Sequence, residues 1–245
     1  RRFDAVIAEW EKRSQTDLKE YFPKSELPFG FMTHMANGDL QKNYGYTHWY
    51  TMFSPRQLFV LSLILKSLDT ATGFSDSSKE IALGAFQQYL QNQSVFCHYD
   101  GSRDTSTVLF ANNNFYPKKT YVENCVFADL GRGNWNSSQK IALKGLDWAK
   151  ETWETVANSA LDSLDIFKRC DGKSILSGKS TRVFCQDAIG TNTIVTCGSS
   201  TELTSLESGS YDLVITDPPF GGLLHYSELA DFFYVWLRLV LKDKY

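Results

Sequence analysis

Apolar residues recur at helical spacing near the start of the chain. Phe3, Val6, Ile7 and Trp10 stand three or four apart among charged neighbours, which predicts an amphipathic helix over residues 3–20. Residues 21–50 lose that period. Pro23, Pro28, Gly30, Gly38 and Gly45 interrupt an aromatic-rich stretch that reads as an irregular packed loop. The stretch "FSPRQLFVLSLILKSL" then opens with a strong start signal. Ser54 stands at the N-cap, Pro55 fits the first helical position, and Gln57 completes a capping box. Leu58, Leu61, Leu65 and Leu68 form its apolar stripe. "SSKEIALGAFQQYLQNQS" predicts a second helix over 78–92, and "SSQKIALKGLDWAKETWETVANSALDSL" one or two more. Between them, residues 106–126 are rich in Asn and Tyr, with short β-like runs.

The pattern changes near residue 180. "TRVFCQDA", "NTIVTCGS" and "YDLVITD" are short β-branched runs separated by polar loops and a helical-looking "STELTSL". Such nearly continuous apolar runs suit parallel strands covered on both faces. A last helix is predicted in "SELADFFYVWLRLVLKDK". Ser227 is its expected cap, with Glu228 and Asp231 at the positive end and Leu229, Phe232, Phe233, Trp236 and Val240 on the core face. The expected organisation is a helix-rich region over 1–175 and part of an α/β domain over 176–245.

Composition narrows the class. A hydrophobic fraction of 42% in 245 residues supports a sizeable folded core, and a net charge of -3 offers no overall basic field. Five cysteines without a CxxC pair argue against a disulfide framework or a zinc ribbon. His34, His48, His98 and His225 lack ligand spacing, so no metal site is expected. No signal-peptide core is visible, and the run "FVLSLILKSL" is too short to span a bilayer, so a cytoplasmic chain is expected.

Two stretches imitate nucleotide-binding turns. "GKSILSGKS" (172–180) has five residues between its first Gly and the GK pair, where a phosphate loop needs four, and reads as a solvated loop. "FADLGRGNW" (127–135) has the D-x-G-x-G spacing of a ribose-holding turn. With only "NCVFA" in front and Asn134, Trp135 and Asn136 behind, it reads as a surface loop.

The chemistry concentrates in "YDLVITDPPFGGLLHY". Methyl transfer to an exocyclic amine requires the nitrogen lone pair to leave conjugation with its ring. Two acceptors on the amino group favour this: a side-chain oxygen from Asp217 and a backbone carbonyl from Pro218. Proline has a fixed φ and no competing N–H. Phe220 offers a face for a base taken out of its stack. The end of a parallel strand, where α/β sheets bind ligands, is the expected place for such a corner.

Asp217-Pro218-Pro219-Phe220 resembles the D/N/S-P-P-Y/F/W signature of amino-methyltransferases acting on adenine N6 or cytosine N4. The wider stretch through "YSELADFFYVWLR" is similar to a group of adenine-specific DNA methylases carrying a long middle region, which "MFSPRQLFVLSLI" and "YVENCVFADLGRGNW" resemble more loosely. The close likeness covers about 50 residues around the motif. It implies a partial Rossmann-like class I methyltransferase sheet preceded by a helix-rich recognition region. It also implies S-adenosyl-L-methionine as cofactor and DNA, through a flipped adenine, as partner. On the matching positions, Asp217 and Pro218 would hold the amine, Pro219 would shape the turn and Phe220 would stack on the base. Gly198 and Ser199 lie where related enzymes carry a Gly-Asp pair near the cofactor; Ser199 replaces the acid. Gly221 and Gly222 depart from the usual polar pair.

The glycine-rich cofactor turn has no convincing counterpart, and about three strands are readable where such a sheet has about seven. The expectation is therefore a fragment, or one subunit of a split enzyme, whose remaining methyltransferase segment lies in a longer chain or a partner. RNA, cytosine N4 and a protein amide are alternative substrates compatible with the same two acceptors. A non-catalytic nucleic-acid-binding module with the same fold is the alternative of another class.

Overall fold

The computed structural model describes residues 2–35, 39–102, 105–111, 115–117, 122–127, 133–150, 153–157, 180–184, 199, 201–204, 206–217 and 225–242. By its contacts the chain forms two compact units. One comprises Arg1–Leu143 together with Phe220–Tyr245, and the other Lys144–Pro219.

The first unit is helical. α1 (Arg2–Ser14) carries Asp4 in its first turn and Lys12 and Arg13 in its last, each charge opposing the helix dipole. It is shorter than expected, because turns take over from Gln15. Asp17 in those turns accepts from Arg13 and, at 2.7 Å, from Lys66 of the third helix. Residues 21–50 hold a π-helical turn (Phe31–Met35), the short α2 (Leu40–Tyr44) and a 3-10 turn (Trp49–Met52). Gly45 ends α2 at φ 77°, a left-handed conformation that favours glycine.

α3 (Pro55–Thr70) begins as its sequence predicts. The Ser54 hydroxyl accepts from the Gln57 N–H at 3.2 Å, and the Gln57 amide oxygen accepts from the Ser54 N–H at 2.9 Å. Leu58, Leu61 and Leu65 are buried, and Leu68 packs against the same core. α4 (Asp76–Leu90), capped by Ser75, buries Leu83, Phe86, Tyr89 and Leu90. α1 lies on α3, α3 on α4, and α4 on α6 (Tyr226–Leu241). β1 (Tyr99–Asp100) and β2 (Thr105–Ser106) form a small antiparallel ladder in the 98–107 region.

α6 completes this core, although it lies far away in sequence and within the stretch expected to form part of the α/β domain. Phe232, Val235 and Trp236 are buried. The Trp236 ring meets Phe53 at 5.3 Å and Phe86 at 6.0 Å. Phe232 stacks on Phe53 at 5.8 Å and reaches Phe115 and Trp49. Leu229, Phe233 and Val240 are partly buried against the same cluster. Val235 belongs to the buried face as well, a position the sequence reading leaves out.

Several expectations change. Ser227 lies inside α6; the N-cap residue is His225, with no side-chain cap bond. α5 (Trp135–Lys150) is followed by a strand, not by more helix. β3 (Trp153–Ala157) pairs antiparallel with β4 (Ser180–Phe184). Trp, Thr and Val favour a pleated strand once a partner is present, which outweighs the helical period upstream. The strand in "TRVF" is real, but its neighbour is antiparallel, where a parallel one was expected. "NTIVTCG" lies outside the described residues, as do the decoy positions 172–179.

The other decoy is divided where it is described: Phe127 is exposed, as a surface loop would be, whereas Gly133 and Asn134 are buried and a helix runs straight out of them. Asn134 is buried and its side-chain oxygen accepts from the Ser137 N–H at 2.8 Å, capping α5. Gly133, at φ 71°, accepts on its carbonyl from the Gln93 amide at 2.9 Å. Residues 128–132 lie outside the description.

Candidate functional site

Of the residues singled out by sequence, Asp217 and Ser199 are described; Gly198, Pro218, Pro219, Phe220, Gly221 and Gly222 lie outside the described residues. Both described residues belong to the second unit and both are exposed.

The approach to Asp217 differs from expectation. Residues 211–217 form no strand, and no described strand pairs with them. Leu213, Val214 and Ile215 are exposed, Ile215 to 84%. An apolar run on both faces of an extended segment is stable only between covering layers, and a strand needs a neighbour for its N–H and C=O groups. The described residues supply neither. Upstream, the described residues of "STELTSL", where a helix was expected, form turns and no helix. The Leu206 N–H reaches the Leu203 carbonyl at 2.9 Å, and the Ser210 N–H the Glu207 carbonyl at 3.3 Å, with Gly209 at φ 76° inside the second turn. Asp217 thus presents a solvent-facing carboxylate, an acceptor suited to an amine.

Ser199 is held by its own turn. Its hydroxyl lies 2.8 Å from the Thr201 hydroxyl and accepts from the Thr201 N–H at 3.3 Å. Its chain neighbours Gly198 and Ser200 lie outside the described residues.

The downstream flank of the motif is better defined. At the start of α6, the Glu228 carboxylate accepts from two backbone N–H groups, Phe31 at 3.1 Å and Met32 at 2.8 Å. It satisfies the open N-terminal donors of the π-helical turn while standing near the positive end of its own helix. His225 stacks on Phe31 with ring centres 4.2 Å apart, and its Nδ1 is 3.6 Å from Glu228. Gly30 makes room: the Glu228 carboxylate occupies the space that a Cβ there would fill. The Thr33 hydroxyl closes the turn by donating to the Pro28 carbonyl at 2.6 Å. Burial, aided by the Glu228 charge, pushes the Asp231 carboxyl above its ordinary range.

Glu228 is the structural residue whose partners the sequence could not show. The legible signal was an acid in the first turn of a helix; the two amides it serves lie nearly two hundred positions away. Among the described residues, no group of His, Cys, Asp and Glu could hold a metal ion, and no helix is long and apolar enough to cross a membrane. Cys97 is buried, its thiol donating to the Gln91 carbonyl at 3.6 Å, and Cys125 is exposed; neither is in a disulfide. A cavity of about 660 Å³ lies in the helical unit, lined by residues of the 10–24 and 48–58 segments. No family model, no curated protein and no solved structure matches the chain.

Proposed function

We propose that this chain supplies the substrate-positioning part of an S-adenosyl-L-methionine-dependent amino-methyltransferase acting on adenine N6 in DNA, with a partial Rossmann-like α/β domain. The observation that carries the reading is the Asp217-Pro218-Pro219-Phe220 sequence followed by "YSELADFFYVWLR". The exposure of Asp217 supports it, since an amine-gripping carboxylate must be reachable.

In this reading the Asp217 carboxylate and the Pro218 carbonyl each accept one N–H of the target amine. The nitrogen lone pair is then free to point out of the ring plane. Pro219 restricts the turn, so the two acceptors are held in place before substrate arrives. Phe220 covers the face of the extruded base. No covalent link between enzyme and substrate is required. Because Ser199 stands where related enzymes carry an acid and the sequence has no convincing glycine-rich turn, S-adenosyl-L-methionine is assigned to a glycine-rich turn in a longer chain or a partner subunit. The exposed Leu213–Ile215 run is the edge such a segment would cover.

The test is nucleoside mass spectrometry on DNA and RNA from cells expressing the full-length protein, beside its Asp217→Ala variant. N6-methyladenine in DNA that disappears in the variant is the expected result. Unchanged methylation in the variant, methylated nucleosides confined to RNA or to cytosine, or no methylated nucleoside at all overturns the assignment.

A further inference from the structure

We propose that a cleft in the helical unit binds a segment of single-stranded nucleic acid, independently of the corner at 217–220. The cleft encloses about 660 Å³, within the range of built ligand sites. It is assembled from α1, the turns after it, the 48–51 segment and the start of α3.

A row of rings runs along it. Trp10 meets Phe22 edge-on at 5.1 Å, Phe22 meets Tyr50 at 5.9 Å, and Tyr50 lies beside His48 at 5.4 Å. Mutual edge contacts fix these rings, so little side-chain entropy remains to be lost when a ligand stacks on them. Trp10 is buried and forms the floor; Phe22, His48 and Tyr50 are only half-buried.

The charge lining the cleft runs opposite to that of the chain. The protein is net acidic, yet the cleft is lined by Lys19 and Lys24 and by no carboxylate. Lys24 lies over the Phe22 ring at 5.1 Å, and its ion pair with the exposed Glu20 is a loose 3.6 Å. An exposed pair of that kind contributes little, so a phosphate can replace it. Among the described ion pairs, none engages Lys19.

Rings with cations beside them match the alternation of base and phosphate along a strand. Only bases out of their stack can use the rings; a duplex would offer this wall its phosphates alone. That selects a single strand.

The test is fluorescence anisotropy with the full chain and labelled oligo(dT) and oligo(rU) of about 16 nucleotides, beside a duplex of equal length. Binding of either single strand more tightly than the duplex is expected, and the two arms identify the sugar. Two phosphate contacts give a salt slope of about 1.4, so affinity falls about sevenfold between roughly 50 and 200 mM salt. Lys19→Glu with Lys24→Glu flattens that slope and weakens binding. Tyr50→Leu keeps the apolar volume and costs at least about fivefold, with the slope unchanged, while Tyr50→Phe binds as the parent chain. Equal or tighter duplex binding overturns the proposal, and so does strand binding indifferent to both the lysine and the Tyr50→Leu changes. Asp217→Ala is expected to bind strands normally. Loss of methylation with intact strand binding, or the reverse, therefore separates failure of one proposal from failure of the other.

Discussion

Glu228→Ala removes one side chain and strands two amides. Both acceptors of Phe31 and Met32 vanish together, leaving the first donors of the π-helical turn facing the space the carboxylate occupied. A hydrogen bond to a charged group contributes about 1.5–3 kcal/mol when buried, and less when water can re-form it. The Glu228 side chain keeps 22% exposure, so the two bonds together are worth about 2 kcal/mol. Loss of a negative charge in the first turn of α6 adds about 0.5 kcal/mol. The expected total of about 2.5 kcal/mol corresponds to a fall of about 5–10 °C in Tm for a chain of this size. Urea unfolding followed by tryptophan fluorescence measures the first quantity. Hydrogen exchange by mass spectrometry, on a peptide covering residues 31–33, shows whether the loss is local. Glu228→Gln retains one acceptor and is expected to lose about half as much. Gly30→Ala should resemble Glu228→Ala, because its methyl group enters the carboxylate's space. An alanine variant within about 0.5 kcal/mol of the parent, with unchanged exchange at 31–33, would refute the clamp.

Trp236→Ala should cost about 3–5 kcal/mol in urea unfolding, since its fully buried ring contacts Phe53 and Phe86. The Trp236 indole N–H is buried without a partner among the described residues. Trp236→Phe removes that unsatisfied donor along with some volume and should cost less than about 1.5 kcal/mol; a loss equal to that of Ala would contradict this. Asp231, raised by burial and by Glu228, binds its proton more tightly folded than unfolded. Its contribution to stability is therefore greatest below about pH 4 and declines as pH rises through the unfolded and then the folded pKa. Asp231→Asn should accordingly stabilise the chain at neutral pH and lose that advantage in acid, as paired denaturation curves at pH 3 and 7 would reveal.

What the sequence determined alone was local. Ser54, Pro55 and Gln57 fix the start of α3 because a capping box is completed within four residues. The stripe at Leu58, Leu61 and Leu65 required only a helical period and a core to face. The choice of Asp217 as an amine acceptor likewise used only the chemistry of the residues beside it. Elsewhere, distant residues decided. "WETVA" becomes β3 because "STRVF" is there to pair with it, and no local period encodes a partner more than twenty residues away. "YDLVIT" has the composition of a buried strand, but strand formation is a property of neighbours, and the described residues provide none. Glu228 meets Phe31 and Met32, and Trp10 joins Phe22 and Tyr50 in one cleft, only after α6 and α1 have packed. Caps and stripes are set by bonds a few residues long, whereas clefts, clamps and sheets depend on which surfaces the folded chain brings together.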